Sequence, residues 1–252
     1  MKPDEEEAKN KYNMIAESYH NFRVNEHPNG WFYNEMLEMP AVLEMLGNVK
    51  GKKVLDFGCG TGIYTKILKE KGANIKGFDI SPQMLKIAKD YVSNVEFKLG
   101  SGYKIPFNEK FDIAFASLVM HHMKDWDKVF GQLKKVLKPK GEFIFSISNP
   151  VAEITKKSED KNPLIRKFER YFEERKIFGY WRNILKNKKT KIKMPIYHKT
   201  YETIIKTIVK NNFEIIDYKD CFPSQKSKKL FPNEYKFALN YPYFCVWKIR
   251  LK

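Results

Sequence analysis

Seven residues narrow what this chain can fold into more than any others: Asp56-Phe57-Gly58-Cys59-Gly60-Thr61-Gly62. They follow the short apolar run Val54 to Phe57 and open a helical pattern from about Ile63 to Lys71. Strand, glycine loop and helix in that order make the first turn of an open α/β sheet. Ligands bind there, outside the carboxyl ends of the strands, because glycine lets the backbone approach them and adopt positive φ. The alternation then continues. Asn74 to Asp79 reads as a second strand, and Ser81-Pro82 starts a helix with serine as its cap. Val95 to Leu99 and Phe111 to Ser117 read as strands, Asp125 to Leu137 as an amphipathic helix, and Glu142 to Ile147 as a further strand. The pattern predicts an α/β fold with a doubly wound, mostly parallel sheet and helices on both faces.

The flanks read differently. Asp4 to Glu7 place acid at a helix N-terminus, which suits its dipole. Tyr12, Ile15, Ala16 and Tyr19 form an apolar stripe. A turn at His27-Pro28-Asn29-Gly30 precedes a second amphipathic stretch, Trp31 to Leu46, which Pro40 must kink or split and Gly47 caps. After Asn149-Pro150 the alternation breaks. Residues 151–197 are lysine-rich and aromatic and read as helical, without a strand signal. A helix near Thr200 to Asn211 and strands at Phe213 to Tyr218 and Tyr243 to Ile249 resume the pattern. The expected organisation is an N-terminal helical lid segment (1–50), a ligand-binding domain (51–149 and 198–252) and a helical cap insertion (150–197).

Composition bounds the setting. With 252 residues, 42% of them hydrophobic, the chain can bury a real core. Three cysteines, none in a CxxC pair, exclude a disulfide scaffold or a zinc ribbon and fit a reducing compartment. The start, MKPDEEE, lacks the pattern of a signal peptide. The stretch Ile113 to Met120 is too short to span a membrane. A soluble, cytoplasmic protein is expected. The net charge of +17 invites a nucleic-acid reading, but it is unevenly spread. Residues 1–150 hold 22 basic and 19 acidic residues, whereas 151–252 hold 25 and 11. The excess belongs to the last two-fifths of the chain.

The loop itself selects the ligand. A dinucleotide loop reads GxGxxG, but here the spacing is GxGxG with Ile63 in the last glycine's place. Asp56 beside the loop would repel a pyrophosphate and attract an ammonium or sulfonium. Asp79, 21 residues after Gly58 at a strand end, is placed to accept ribose hydroxyls; its other reading is a helix N-cap. A nucleoside with a cationic tail fits, and S-adenosylmethionine is such a molecule.

The run Val54 to Gly62 resembles the first motif of class I S-adenosylmethionine-dependent methyltransferases, which have a Rossmann-like fold. Gly77-Phe78-Asp79-Ile80-Ser81, Ile105-Pro106-Phe107, Phe111-Asp112-Ile113-Ala114, Leu118-Val119-Met120-His121-His122 and Leu137-Lys138-Pro139-Lys140-Gly141-Glu142 follow in family order. They are similar to the small-molecule branch of that superfamily. The resemblance implies that Gly58 and Gly60 pass under the methionine part, with Asp56 near its amino group. It implies that Asp79 holds the ribose, that Ile80 and Met84 flank the adenine, and that Gly100-Ser101-Gly102 reaches its edge. Serine 101 stands where similar proteins commonly carry an acid. Ser117 and Leu118 should approach the amino group and sulfonium through their carbonyls. Cys59 reads as a small residue fitting the loop, or as a thiol activated at a helix N-terminus.

For the reaction, His121 is the expected general base, with His122 facing the cofactor; the alternative is that both pack to order the loop. Tyr12 and Tyr19 are either core residues or rings closing over the cofactor, where one near the sulfonium would gain about 0.5–2 kcal/mol. The insertion offers Arg166, Tyr180 and Trp181, with Tyr197 beyond, as a substrate-setting lid or a satellite core. No ligand spacing for a metal is found. The expected activity is O- or N-methylation of a small molecule, which the charge permits to be anionic. An RNA methyltransferase is the second reading, and a non-catalytic cofactor-binding protein the third. Lysine outnumbers arginine 41 to 6, and arginine is the better bidentate phosphate ligand.

Overall fold

The structure, a computed structural model, describes residues 3–24, 31–157, 166–182, 184 and 191–252. The expected turn at residues 27–30 lies outside the described residues. The chain opens with α1 (Pro3–Val24), a π-helical segment (Phe32–Glu38) and α2 (Met39–Leu46). Pro40 sits in the first turn of α2, so it divides the second stretch into two helices. Gly47 closes α2 at φ 63°.

The alternating part follows: β1 (Lys53–Phe57), α3 (Ile63–Glu70), β2 (Asn74–Asp79), α4 (Pro82–Tyr91), β3 (Glu96–Leu99), β4 (Phe111–Ala116), α5 (Trp126–Val136) and β5 (Leu137–Ser148). After an inserted region come α7 (Tyr201–Lys210), β10 (Phe213–Asp220), α8 (Gln225–Leu230), α9 (Pro232–Ala238) and β11 (Phe244–Leu251). The seven strands run in the order β3-β2-β1-β4-β5-β11-β10. Only β11 is antiparallel to its neighbours. The order reverses between β1 and β4, so a crevice opens there at the strand ends.

Alternation along each strand feeds two cores. Leu55, Phe57, Phe143, Phe145 and Trp247 face α5 and α7, whereas Val54, Ile113, Ile144 and Val246 face α2 and α3. The Phe145 ring stacks on Phe143 at 5.1 Å and lies parallel to Trp247 at 6.4 Å.

The insertion corrects the expectation of a helical cap. Beyond the four-residue α6 (Pro150–Glu153) it forms two β-ribbons, β6 (Thr155–Lys157) with β7 (Arg166–Phe168), and β8 (Lys176–Arg182) with β9 (Lys191–Tyr197). The reason lies in its pattern. Lys191, Ile192, Lys193 and Met194 alternate exposed and buried, the period of a strand rather than a helix. Ile192 and Met194 bury against Ile15, Ala16 and Met84, a small third core that joins β9 to α1 and α4. If that alternation fixes the ribbon, Met194→Ala should cost about 2–4 kcal/mol in urea denaturation. Lys193→Ala should change stability by less than about 0.5 kcal/mol.

Candidate active site

Strand β1 delivers the glycine loop to the crevice. Gly58 has φ 74°, and a Cβ there would lie 2.5 Å from Val119 Cγ2. Only glycine lets the loop pass that close. The loop is tied to β2 by Asp79, whose Oδ2 accepts the Gly60 N–H at 2.9 Å and whose Oδ1 accepts the Ser81 N–H at 2.8 Å. Ser81 Oγ in turn accepts the Met84 N–H at 3.1 Å and caps α4. The same hydroxyl donates to Asn13 Oδ1 at 2.7 Å, which pins α1 across the strand ends.

Across the crevice, β4 ends in Ser117 and in Leu118, whose φ of 55° is costly for a side-chain-bearing residue. Leu118 N–H donates to Ser146 Oγ at 2.9 Å, which helps hold the bend. Behind it lies Glu38, fully buried at the end of the π-helical segment. It accepts the Tyr64 hydroxyl at 2.6 Å, the Ser117 hydroxyl at 2.9 Å and the Ser146 hydroxyl. Burial pushes its carboxyl above the usual range, against the pull of those donors.

These pieces enclose a largely apolar cleft that is open at its mouth. Tyr19, Gly58, Gly60, Asp79, Ile80 and Met84 line it, as do Ser101, Gly102, Ser117, Leu118 and His122. Tyr12, like Tyr19 on the same helical stripe, lines it too. Asp56 and Cys59 border a smaller side cavity that shares Tyr19, Gly58, Gly60 and Ser117 with the main cleft. Asp56 accepts the Thr65 hydroxyl at 2.5 Å, and burial still raises its carboxyl to about 7. Burial raises Asp79 to about 6 against its backbone donors. Cys59 is buried, and its thiol is pushed up by desolvation, so the reading of an activated thiol is withdrawn. Ser101 Oγ accepts the Tyr103 N–H at 3.1 Å.

The two histidines exchange the expected importance. They occupy a single 3₁₀ turn, Met120–His122, in which successive side chains point about 120° apart. His122 faces the cleft, where the Tyr12 hydroxyl lies 2.9 Å from its Nε2 and the Pro195 carbonyl 2.5 Å from its Nδ1. Burial holds His122 down to about 4, so it is neutral. His121, expected as the base, is corrected: it does not line the cleft, and its Nδ1 accepts the Ser148 N–H at 3.1 Å.

The substrate residues expected on the insertion do not gather at the cleft either. The Arg166 guanidinium lies over Tyr241 at 4.9 Å and Phe237 at 5.8 Å. Tyr180 is exposed on β8 beneath Lys191 Nζ at 3.8 Å. Tyr197 ends β9 half-buried, away from the cleft lining. The Trp181 side chain lies outside the described residues. Sequence reasoning missed Glu5 and Asn34, which line the cleft from the N-terminal side, and Asn13 and Glu38, which brace its walls through Ser81 and Ser117. Polar residues inside helices carry no periodic signal. Among the described residues no group of three His, Cys, Asp or Glu side chains could hold a metal ion.

Residues 55–145 match the family model described as a methyltransferase domain. An uncharacterised protein of Haemophilus influenzae is 29% identical over 86% of this chain and 88% of its own length. Demethylmenaquinone methyltransferase of Tropheryma whipplei is 34% identical over 41% of this chain and 45% of its own, so the chain matches under half of that relative. The crystal structure of an S-adenosylmethionine-dependent methyltransferase from Mesorhizobium loti superposes with a TM-score of 0.70 at 25% identity, covering 84% of this chain and 97% of that one. The cleft fits that cofactor: a Cβ-free cradle at Gly58, a buried carboxylate at the β2 end, and an apolar slot beside Ile80 and Met84. Residues 55–145 carry a methyltransferase domain, and the chain as a whole has the fold of the class I S-adenosylmethionine-dependent methyltransferases.

Proposed function

We propose that this enzyme methylates an oxygen or nitrogen atom of a small-molecule acceptor. The Tyr12–His122 pair carries the reading, because it puts a neutral base on the cleft wall beneath α1. The main cleft is lined by Glu5 and Asp79 but, among the described residues, by no lysine or arginine. That lining favours an uncharged acceptor over an anionic one and weighs against RNA, despite the basic surface. Similarity to a demethylmenaquinone methyltransferase supports a small acceptor.

S-adenosylmethionine supplies a methyl group activated by its positive sulfur, which keeps the bonding pair as the acceptor atom takes the carbon. The chain's own residues orient, exclude water and take a proton. We assign the ribose hydroxyls to Asp79, the amino group to Asp56, the adenine to Ile80, Met84 and the 100–102 turn, and the tail to Gly58, Gly60 and Ser117. Such alignment can lower the barrier by about 7–11 kcal/mol. α1 lines the cleft through Glu5, Ala8, Tyr12 and Tyr19, and the β8–β9 ribbon holds α1 there through the Glu7–Lys176 ion pair and the shared third core. His122 donates its Nδ1–H to the Pro195 carbonyl and thereby turns the Nε2 lone pair toward the cleft. An acceptor O–H or N–H that displaces the Tyr12 hydroxyl meets that lone pair and gives up its proton there.

Incubation with methyl-labelled S-adenosylmethionine and cell extract should place label in a metabolite, read by mass spectrometry; label confined to RNA overturns the proposal. His122→Ala should lower kcat by about 10²–10⁴-fold. His122 stays neutral above about pH 5, so kcat at saturating cofactor should decline only below it. Asp79 gives a second pH dependence. Its carboxyl is raised from the usual 3.8 to about 6 in the folded, ligand-free protein, so its protonation stabilises the fold at low pH. That contribution is lost as the pH rises from about 4 through 6. Ribose hydroxyls need the ionised form, so calorimetric affinity for S-adenosylhomocysteine should fall roughly tenfold per pH unit below 6. Asp79→Asn should bind weakly at every pH.

A further inference from the structure

The outer face of the β8–β9 ribbon carries side chains that the cleft does not use. Ile192 and Met194 point inward to α1 and α4. The two-residue period of a strand therefore turns Lys191 and Lys193 outward, and both are exposed. Tyr180 lies directly across from Lys193 and shares that face with Phe178 and Lys176. The Tyr180 and Phe178 side chains are 45% and 39% exposed, and lysine ammonium groups ride over their rings. Lys191 Nζ lies 3.8 Å from the Tyr180 ring centre, and Lys176 and Lys193 Nζ lie 5.4 and 5.8 Å from that of Phe178. Phe172, four residues before Lys176, is 88% exposed, the most exposed large apolar side chain among the described residues. Clustered apolar rings left in water mark a surface that a partner covers.

Charge narrows the choice of partner. Residues 166–197 hold eleven basic and three acidic residues. Each of those acids is engaged within the chain: Glu169 with Lys156 at 2.5 Å, Glu173 with Arg170 at 3.2 Å, and Glu174 with the Thr200 N–H at 3.0 Å. Glu7 of α1 pairs with Lys176. Lys191 and Lys193 are left without an acidic partner among the described residues, so the face is complementary to an anionic surface. A nucleic-acid base would stack on a free ring face, but here ammonium groups occupy those faces, and lysine lacks the fork that arginine offers a phosphate. A bilayer interface takes both kinds of group at once. Lysine stems reach up to lipid phosphates while the rings rest at headgroup level, and an anionic leaflet attracts each lysine.

We propose that Lys191, Lys193, Phe178 and Tyr180, together with Phe172, dock this protein peripherally on an anionic lipid bilayer. Contact of this kind is reversible and needs no membrane-spanning segment. It reaches the cleft through the inner face of the ribbon, which braces α1, and through Pro195, whose carbonyl holds His122. The inference does not depend on the identity of the methyl acceptor.

Flotation of the full chain with phosphatidylcholine vesicles, with and without about 30% phosphatidylglycerol, tests this. At ~50 mM salt the protein should float with the anionic vesicles and not with the neutral ones, and ~500 mM salt should weaken binding at least roughly tenfold. Lys191→Gln combined with Lys193→Gln should weaken it about 10- to 30-fold. Lys228→Gln with Lys229→Gln, exposed on α8, should leave it unchanged. Phe172→Ser and Phe178→Ser should each weaken binding several-fold at both salt concentrations, because ring burial is not screened. Equal flotation with both vesicle types, no flotation with the anionic ones, or an equal loss in the α8 variant overturns the proposal. So does single-stranded RNA that binds more tightly than the vesicles and loses affinity with the same ribbon variants, which would make the face a nucleic-acid surface.

Discussion

Asp79 accepts amide hydrogens from two different loops, Gly60 of the glycine turn and Ser81 at the head of α4. In a parallel sheet the strand ends leave such amides without ladder partners, and a buried carboxylate can gather them only if their loops converge. The convergence explains much else. Ser81, positioned by that contact, caps α4 and takes Asn13 of α1, so the N-terminal helix is laid across the crevice by the same chain of bonds. The group that shapes the floor of the cleft therefore also sets where its roof can rest.

A second buried carboxylate does the corresponding work on the opposite wall. Glu38 collects hydroxyls from α3, from the end of β4 and from β5. The cleft is held between two carboxylates, each raised by burial and opposed by its own donors. Such networks specify one arrangement because every alternative leaves a buried acceptor unsatisfied. The surface is strongly basic, yet the cavity wall holds acid and neutral groups. Overall charge and site charge are separate properties of this molecule.

The alternating core was legible in the sequence because its signals are local. Strand and helix periods differ, Ser81-Pro82 marks a helix start, and the glycine spacing marks a close backbone approach. The cleft-lining residues Gly58, Gly60, Asp79 and Ser117 came with that pattern, since the strand ends carry them. The insertion was misread because its many lysines and aromatics hide an alternation confined to the few residues around Ile192 and Met194. Short α8 and α9 were overlooked for a similar reason: each spans only two turns or fewer. His121 and His122 could not be told apart from sequence, because adjacent residues differ only in the direction a 3₁₀ turn gives them. Arg23 and Glu38 were invisible because what singles them out is burial, and burial of a charge is decided by tertiary packing.

The π-helical segment Phe32–Glu38 places Glu35 toward α1 and Glu38 toward the strand ends. A π-turn amounts to an α-helix that has taken in one extra residue. Removing a single residue between Phe32 and Glu38 would restore ordinary helical winding and rotate everything before it by about 100° relative to α2. One of the two glutamates would then lose its target. Related chains that differ in length by one residue at this point would therefore need a different way of holding the N-terminal helix, even with every other site residue unchanged.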